Sequence, residues 1–254
     1  MLNEQQMSQY ETDGYIIFEH LFHGEEIDRI RGIIDELDRE SERKLKEVGT
    51  NFISAANQIN FTSNLNFMNA ELQAFTADPR FVEITTSILG PDIRLYWDQS
   101  VYKRPETNRD FPWHQDNGYV PTEPIHYVTC WLALEDAFIE NGCIWVQPGT
   151  HRQGFVEHFK SDSGWVCCDG EDTGIPVELK KGSMVVFHSL LFHRSTPNLS
   201  KTTRKGYVLQ YSVVGSKNPD TGVEFRNGPI IAKDGKPAYN GFISKEEMQA
   251  QPGV

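Results

Sequence analysis

The stretch FPWHQDNGY, residues 111 to 119, sets His114 and Asp116 two apart, between a proline and an Asn-Gly turn. On an extended strand, side chains at i and i+2 point to one face, so an imidazole and a carboxylate so spaced can reach one metal ion. No other histidine of the chain begins a His-x-Asp. The related His23-Gly24-Glu25 opens a helical pattern, where the glutamate suits the helix N-terminus. On its own, His114-x-Asp116 also reads as a hydrogen-bonded pair at a strand end. A metal centre requires a third ligand.

The run GSMVVFHSLLFHRSTPNLSKTTRKGYVLQYS, residues 182 to 212, supplies candidates. Its pattern predicts a β-hairpin with its tip near Asn198-Leu199. That tip sets His193 and Arg204 roughly opposite on one face, with Ser195 also inward. A slip of one residue would invert the faces. His188, five residues before His193, would face the opposite way on a continuous strand. His114, Asp116 and His193 together would form a two-histidine, one-carboxylate facial triad, which leaves three metal positions open and suits Fe(II) that activates O2. A buried Arg204 would need an anion, because an unpaired buried charge is costly. Guanidinium matches a carboxylate in geometry, so a dicarboxylate cosubstrate would meet both demands. The competing reading of Arg204 is a solvated strand residue.

Two helices and several strands must position these groups. GEEIDRIRGIIDELDRESERKLKEV, residues 24 to 48, carries Ile27, Ile30, Ile34 and Leu37 at spacings of three and four, which predicts an amphipathic helix. Residues 78 to 89 predict a second helix, with Asp78 as N-cap, Pro79 at the first helical position and Gly90-Pro91 as its end. From about residue 92, short β-rich runs alternate with turns rich in Gly, Pro, Asn and Asp. Helices followed by many short strands predict a mainly β fold: a jelly roll, or double-stranded β-helix, buttressed by N-terminal helices. One domain over 1–254 is expected, with a helical part at about 1–91, a jelly-roll core at about 92–214 and a loop-rich segment at 215–254.

Composition narrows the partners. The 254-residue chain has a formal net charge of −12, with no basic stripe to offset phosphates, which argues against nucleic acid. No apolar run approaches a membrane span, and the polar N-terminus lacks a signal-peptide pattern. Cysteines 130, 143, 167 and 168 form no CxxC or disulfide framework, so a reducing, cytoplasmic setting is expected. Cys130 and Cys143 read as small core residues.

The sequence resembles the phytanoyl-CoA dioxygenase family of Fe(II)/2-oxoglutarate oxygenases. The likeness rests on WHQD (113–116), NGCIWVQPGTHR (141–152) and KGSMVVFHSLLFHRSTPNLSKTTR (181–204), in the family's order and spacing, with YETDGYIIFEHLFHGEEIDRIR similar to its opening. The resemblance implies His114, Asp116 and His193 as iron ligands. It implies Arg204 and Ser195 as partners of the distal carboxylate of 2-oxoglutarate, with Lys103 and Trp131 lining the cosubstrate site. His151, in PGTHR, reads as structural. The implied activity consumes 2-oxoglutarate and O2, releases succinate and CO2, and oxidises a small organic molecule, usually by hydroxylation. Two other readings stay open: a non-catalytic ligand-binding jelly roll, and a cupin-like metal enzyme that does not use 2-oxoglutarate.

The segments expected around the pocket mouth are 51–67, 117–127 and 224–229. They offer Asn, Gln, Phe and Tyr but only one arginine, Arg226. That lining suits a free, neutral or cationic, partly apolar substrate better than a CoA thioester with its phosphates. A cluster of Lys103, Arg104 and Arg109 is the one alternative home for phosphate.

Overall fold

The computed structural model describes residues 2–168 and 174–250. The N-terminal third runs α1 (Glu4–Asp13), β1 (Tyr15–Phe18), α2 (Gly24–Val48), β2 (Thr50–Asn51), β3 (Ser54–Ala55), β4 (Ile59–Ser63), α3 (Leu65–Met68), α4 (Ala70–Thr76) and α5 (Pro79–Leu89). Then come β5 (Ile93–Lys103), β6 (Phe111–His114), β7 (Val128–Ala133), β8 (Ile144–Val146), β9 (Phe159–Lys160), β10 (Trp165–Val166), β11 (Ile175–Val177), β12 (Met184–His188), β13 (His193–Ser195) and β14 (Arg204–Val213). β15 (Ile230–Lys233), β16 (Lys236–Pro237) and α6 (Lys245–Ala250) follow.

Two antiparallel sheets dominate. The main sheet runs β1-β12-β7-β14-β5-β4-β3-β2, with β15 also on β5, and the second runs β11-β8-β13-β6. The main sheet is apolar on both faces, for different reasons. Val128, Cys130 and Leu132 of β7 and Tyr207, Leu209 and Tyr211 of β14 share a core with helix residues Ile27, Ile30, Ile34 and Phe81. The alternate residues, Trp131, Ala133 and Val208, turn the other way and pack with Ile144 and Val146 of the second sheet. Alternation by two thus sends one set of side chains to the helices and the other to the space between the sheets.

Both expected helices form. In α5, Asp78 accepts a hydrogen bond from the Arg80 amide, Pro79 opens the helix and Gly90 ends it. In α2 the apolar stripe Ile27, Ile30, Ile34 continues as buried Asp38 and Glu42. The stripe turns polar because Arg104 of the main sheet reaches it, 2.7 Å from Asp38 and 3.3 Å from Glu42.

Three expectations need correction. Segment 1–91 is not simply helical, since β1 and β4 pair with β12 and β5 inside the main sheet. Segment 215–254 is not only loops, because β15 pairs with β5, and α6 follows. The hairpin joining His193 to Arg204 does not exist: β13 pairs with β6 and β8, whereas β14 pairs with β5 and β7. The connection crosses from one sheet to the other. Asn198 fastens it, donating from its amide to the carbonyls of Lys103 and Thr202. A turn-rich linker between two strands looks the same in sequence whether the strands pair or part.

Candidate metal and cosubstrate site

The second sheet brings the two histidines together. His193 of β13 is the direct register partner of His114 on β6, and their ring centroids lie 4.0 Å apart. Asp116 opens a 3-10 turn, Asp116–Gly118, directly after β6. Gln115 between them points elsewhere and pins that turn, donating to the carbonyls of Gly154 and Leu190 and accepting from the Val156 amide. Asp116 Oδ1 lies 3.5 Å from His193 Nε2 and 3.8 Å from His114 Nε2. Ligand atoms of the three residues lie within 4.8 Å of one another, a spacing that can hold a metal ion.

The ring nitrogens are already assigned roles. His114 Nδ1 is 2.8 Å from the Pro112 carbonyl, and His193 Nδ1 is 2.9 Å from that of Leu191. A carbonyl accepts only, so each Nδ1 bears a proton and each Nε2 is the atom left facing Asp116. Burial, then neighbouring His193, pushes His114 down to about 3, so its imidazole is neutral at physiological pH. Burial alone would raise the Asp116 carboxyl. The pull of His193 and His114 and the Thr129 hydroxyl outweigh it, and the group sits below the usual carboxylate range. Two imidazoles and one carboxylate are the donor set that hard-to-borderline Fe(II) takes with open positions remaining.

A cavity between the sheets opens onto this cluster. Arg204 lines it from the first position of β14. Arg204 is 1% exposed, and no carboxylate of the described residues pairs with it. Its terminal nitrogen donates weakly to the Val101 carbonyl at 3.3 Å, and its Nε has no hydrogen-bond partner. Burial holds its pKa down at about 10. A buried cation with an idle donor suits a carboxylate partner. Trp131 lies across the guanidinium, 5.2 Å from ring centroid to Cζ. The indole has room because residue 206 is glycine; a Cβ there would overlap it.

Ser195 lines the same cavity. Its Oγ accepts from Lys103 Nζ at 2.9 Å, which leaves its own proton to donate inward. Lys103 itself does not line the cavity. It stands one layer behind, fully buried, donating also to the carbonyls of Ser195 and Thr196. Arg204 and Lys103 are register partners on β14 and β5, so the arginine reaches the cavity while the lysine turns under Ser195.

His188, the rival ligand, is outside the cavity. Its ring stacks on that of His126, 4.0 Å away and 3° from parallel, and neighbours Tyr10 and His151. The expected outcome holds for another reason: β12 and β13 are separate strands of different sheets. His151 contacts the Glu11 carbonyl at the end of α1. Cys130 and Cys143 are buried thiols of the core.

The residues that sequence reasoning missed are Thr129 and Gln210. Both line the cavity and both bond Asp116. With Trp131 and Arg204 taken as inward, counting by two along each strand would have reached them.

Fold and site together bring three side chains that could hold a metal ion into one cavity with a buried guanidinium. The family model for phytanoyl-CoA dioxygenase (PhyH) matches residues 10–206. The chain belongs to that family of Fe(II)/2-oxoglutarate-dependent dioxygenases, whose cofactors are Fe(II), 2-oxoglutarate and O2. Among curated relatives, a phytanoyl-CoA dioxygenase of Arabidopsis thaliana is 25% identical over 252 residues, covering 82% of this chain and 88% of the relative. Among solved structures, the α-ketoglutarate-dependent carbocyclase SnoK from nogalamycin biosynthesis aligns with a TM-score of 0.70 at 19% identity, covering 94% of each chain. EvdO2 from Micromonospora carbonacea var. aurantiaca, solved with 2-oxoglutarate, aligns with a TM-score of 0.67 at 18% identity, covering 88% of this chain and 98% of that one. At such identity the solved structures share the fold.

Proposed function

We propose that this protein hydroxylates an uncharged, partly apolar small molecule, and that it does so as one jelly-roll domain whose two sheets enclose the reaction. One observation carries the reading: the His114, Asp116 and His193 donors share a cavity with the unpaired guanidinium of Arg204. His114 Nε2, Asp116 Oδ1 and His193 Nε2 hold Fe(II). Arg204 and the Ser195 hydroxyl take the distal carboxylate of 2-oxoglutarate. Lys103 fixes Ser195 from behind, and Trp131 keeps the guanidinium in line. When bound, iron and 2-oxoglutarate together turn O2 into an oxidant able to attack an unactivated C–H bond, with succinate and CO2 released. The chain's own contribution is ligand geometry and a dry, shaped chamber.

The substrate end supports the choice of molecule. Beyond the metal cluster the cavity widens between Ile53, Phe61, Tyr96, Trp97, Phe111 and Tyr119. Its only ionisable lining besides tyrosine hydroxyls is His114 and Asp116. The cations that sequence reasoning held in reserve for phosphates are committed elsewhere. Lys103 is buried under Ser195, Arg104 pairs with Asp38 and Glu42, and Arg109 donates to the Asp162 carbonyl, while Arg226, the one arginine expected at the mouth, pairs with Glu224. A free metabolite therefore fits better than a CoA thioester. Among the described residues no helix is long and apolar enough to cross a membrane, and the four cysteines are thiols, which supports work in a reducing compartment such as the cytoplasm.

The test is a metabolite screen with anaerobically loaded Fe(II) protein, scored by 2-oxoglutarate-dependent succinate release on admission of O2. Parallel panels of acyl-CoAs and free metabolites separate the substrate classes. Stoichiometric hydroxylation of an acyl-CoA, with the free acid inert, would overturn the substrate reading.

A further inference from the structure

Only one oxygen of Asp116 faces the histidines. The other, Oδ2, accepts a hydrogen bond from Thr129 Oγ1 at 2.5 Å and from Gln210 Nε2 at 3.0 Å. Gln210 Nε2 also lies 3.2 Å from Thr129 Oγ1, so the three groups close a triangle. Thr129 on β7 and Gln210 on β14 are direct cross-strand partners, and both side chains are buried. They belong to the main sheet, whereas Asp116 follows β6 of the second sheet. The triangle is thus a polar tie between the sheets, in a place where the surrounding lining is Phe187, Val208 and Trp131.

This geometry has a chemical consequence. A carboxylate can bind a metal through one oxygen or through both. Binding through both would take up one of the positions that a cosubstrate and O2 require. It would also strip Oδ2 of two donors in a buried place, and desolvating a charged acceptor without partners is unfavourable. We propose that Thr129 and Gln210 are positioning residues that hold Asp116 as a one-oxygen ligand and so keep the third metal position open. Neither residue touches the metal; both act through Oδ2. The proposal rests on Asp116 being a metal ligand, as set out under the proposed function.

Co(II) serves as a probe that binds without turnover. Purified full-length protein, wild type and Thr129→Val, Thr129→Ser and Gln210→Met, is titrated with Co(II) and then with 2-oxoglutarate. The visible d–d absorption reports coordination number, and the titrations give both dissociation constants. Valine keeps the shape of threonine and loses the hydroxyl; serine keeps the hydroxyl and loses the methyl group. Thr129→Val and Gln210→Met should bind 2-oxoglutarate to the Co(II) protein ~10- to 100-fold more weakly, the range typical of lost outer partners of metal ligands. Their Co(II) spectra before 2-oxoglutarate should change, while Thr129→Ser stays within about threefold of wild type, the difference expected for a retained hydrogen bond. A packing role would give the reverse order, with valine tolerated and serine impaired, and that result overturns the proposal. Wild-type spectra and affinities in both Thr129→Val and Gln210→Met overturn it as well. Co(II) binding that is unchanged in an Asp116→Ala variant titrated alongside removes the metal reading itself and the clamp with it, which distinguishes the two failures.

Discussion

Replacing Arg204 with methionine should make the empty protein more stable and the cosubstrate-bound protein less so. The guanidinium is buried against Trp131 with its Nε idle and no carboxylate partner. Burial holds its pKa down at about 10, so bearing the charge inside the fold costs on the order of 3 kcal/mol at neutral pH. The sign follows from the base being easier to deprotonate when folded: the cost is complete below pH 10 and vanishes only at alkaline pH. Removal also forfeits the contact with Trp131, worth ~1–2 kcal/mol in a desolvated setting. The net expectation is a gain of about 1 kcal/mol, or ~2–4 °C in the unfolding midpoint for a chain of this size. The bound state moves the other way. Loss of a charge-assisted hydrogen-bond pair weakens 2-oxoglutarate by ~1.5–3 kcal/mol, roughly 10- to 150-fold. At a 2-oxoglutarate concentration near 100 times the wild-type Kd, ligand stabilises wild type by ~2.7 kcal/mol, and a variant weakened a hundredfold by only ~0.4 kcal/mol. Differential scanning fluorimetry of the Mn(II) protein, with and without 2-oxoglutarate, reads both numbers. A variant that melts lower when empty, yet gains as much from 2-oxoglutarate as wild type does, would refute the reasoning.

His114→Ala, Asp116→Ala and His193→Ala should each abolish succinate release and weaken Fe(II) binding, while His188→Ala keeps most activity; equilibrium dialysis with Fe(II) and a succinate assay check both. On the proposed function Asp116 fills a metal position with a carboxylate, so turnover in chloride buffer should give no chlorinated product by mass spectrometry. Asp98 supplies a pH dependence: it is fully buried against Asn66 and Tyr207, and burial raises its pKa to about 6. The folded state then keeps a proton that the unfolded chain has lost, so on the order of 3 kcal/mol of stability disappears as pH rises from about 4 to about 6, with no further change above. Urea unfolding of wild type against Asp98→Asn across pH 4 to 7 should show that slope in the wild type alone.

The metal end of the site was legible because its chemistry is local. His114 and Asp116 are neighbours in sequence, and only one His-x-Asp exists to choose. Helices α2 and α5 were legible because their apolar spacing and caps are local too. What failed was pairing. His193 was placed correctly through a hairpin that does not form, since periodicity says which face a side chain takes but not which strand lies beside it. Lys103 was expected at the cavity wall and lies behind it, because depth depends on how Ser195 and Thr196 of the other sheet close over the lysine. Thr129 and Gln210 carry no signature of their own. Their roles arise only when β7, β14 and the turn after β6 converge on one oxygen.

Strand β14 shows two registers: Arg204, Gly206, Val208 and Gln210 on one side, and Tyr207, Leu209 and Tyr211 on the other. The two sides meet different partners while sharing one backbone. Substitutions among the tyrosines and leucine are judged by whether the helices still dock, whatever the enzyme oxidises. On the opposite side, the arginine lies against an indole, the glycine leaves room for that indole and the glutamine donates to a carboxylate. Val208 alone is bound only by shape. A substitution at Val208 would therefore change the volume of the inner chamber without breaking a polar contact or the docking of the helices, and β14 divides the demands of the fold from those of the chamber residue by residue.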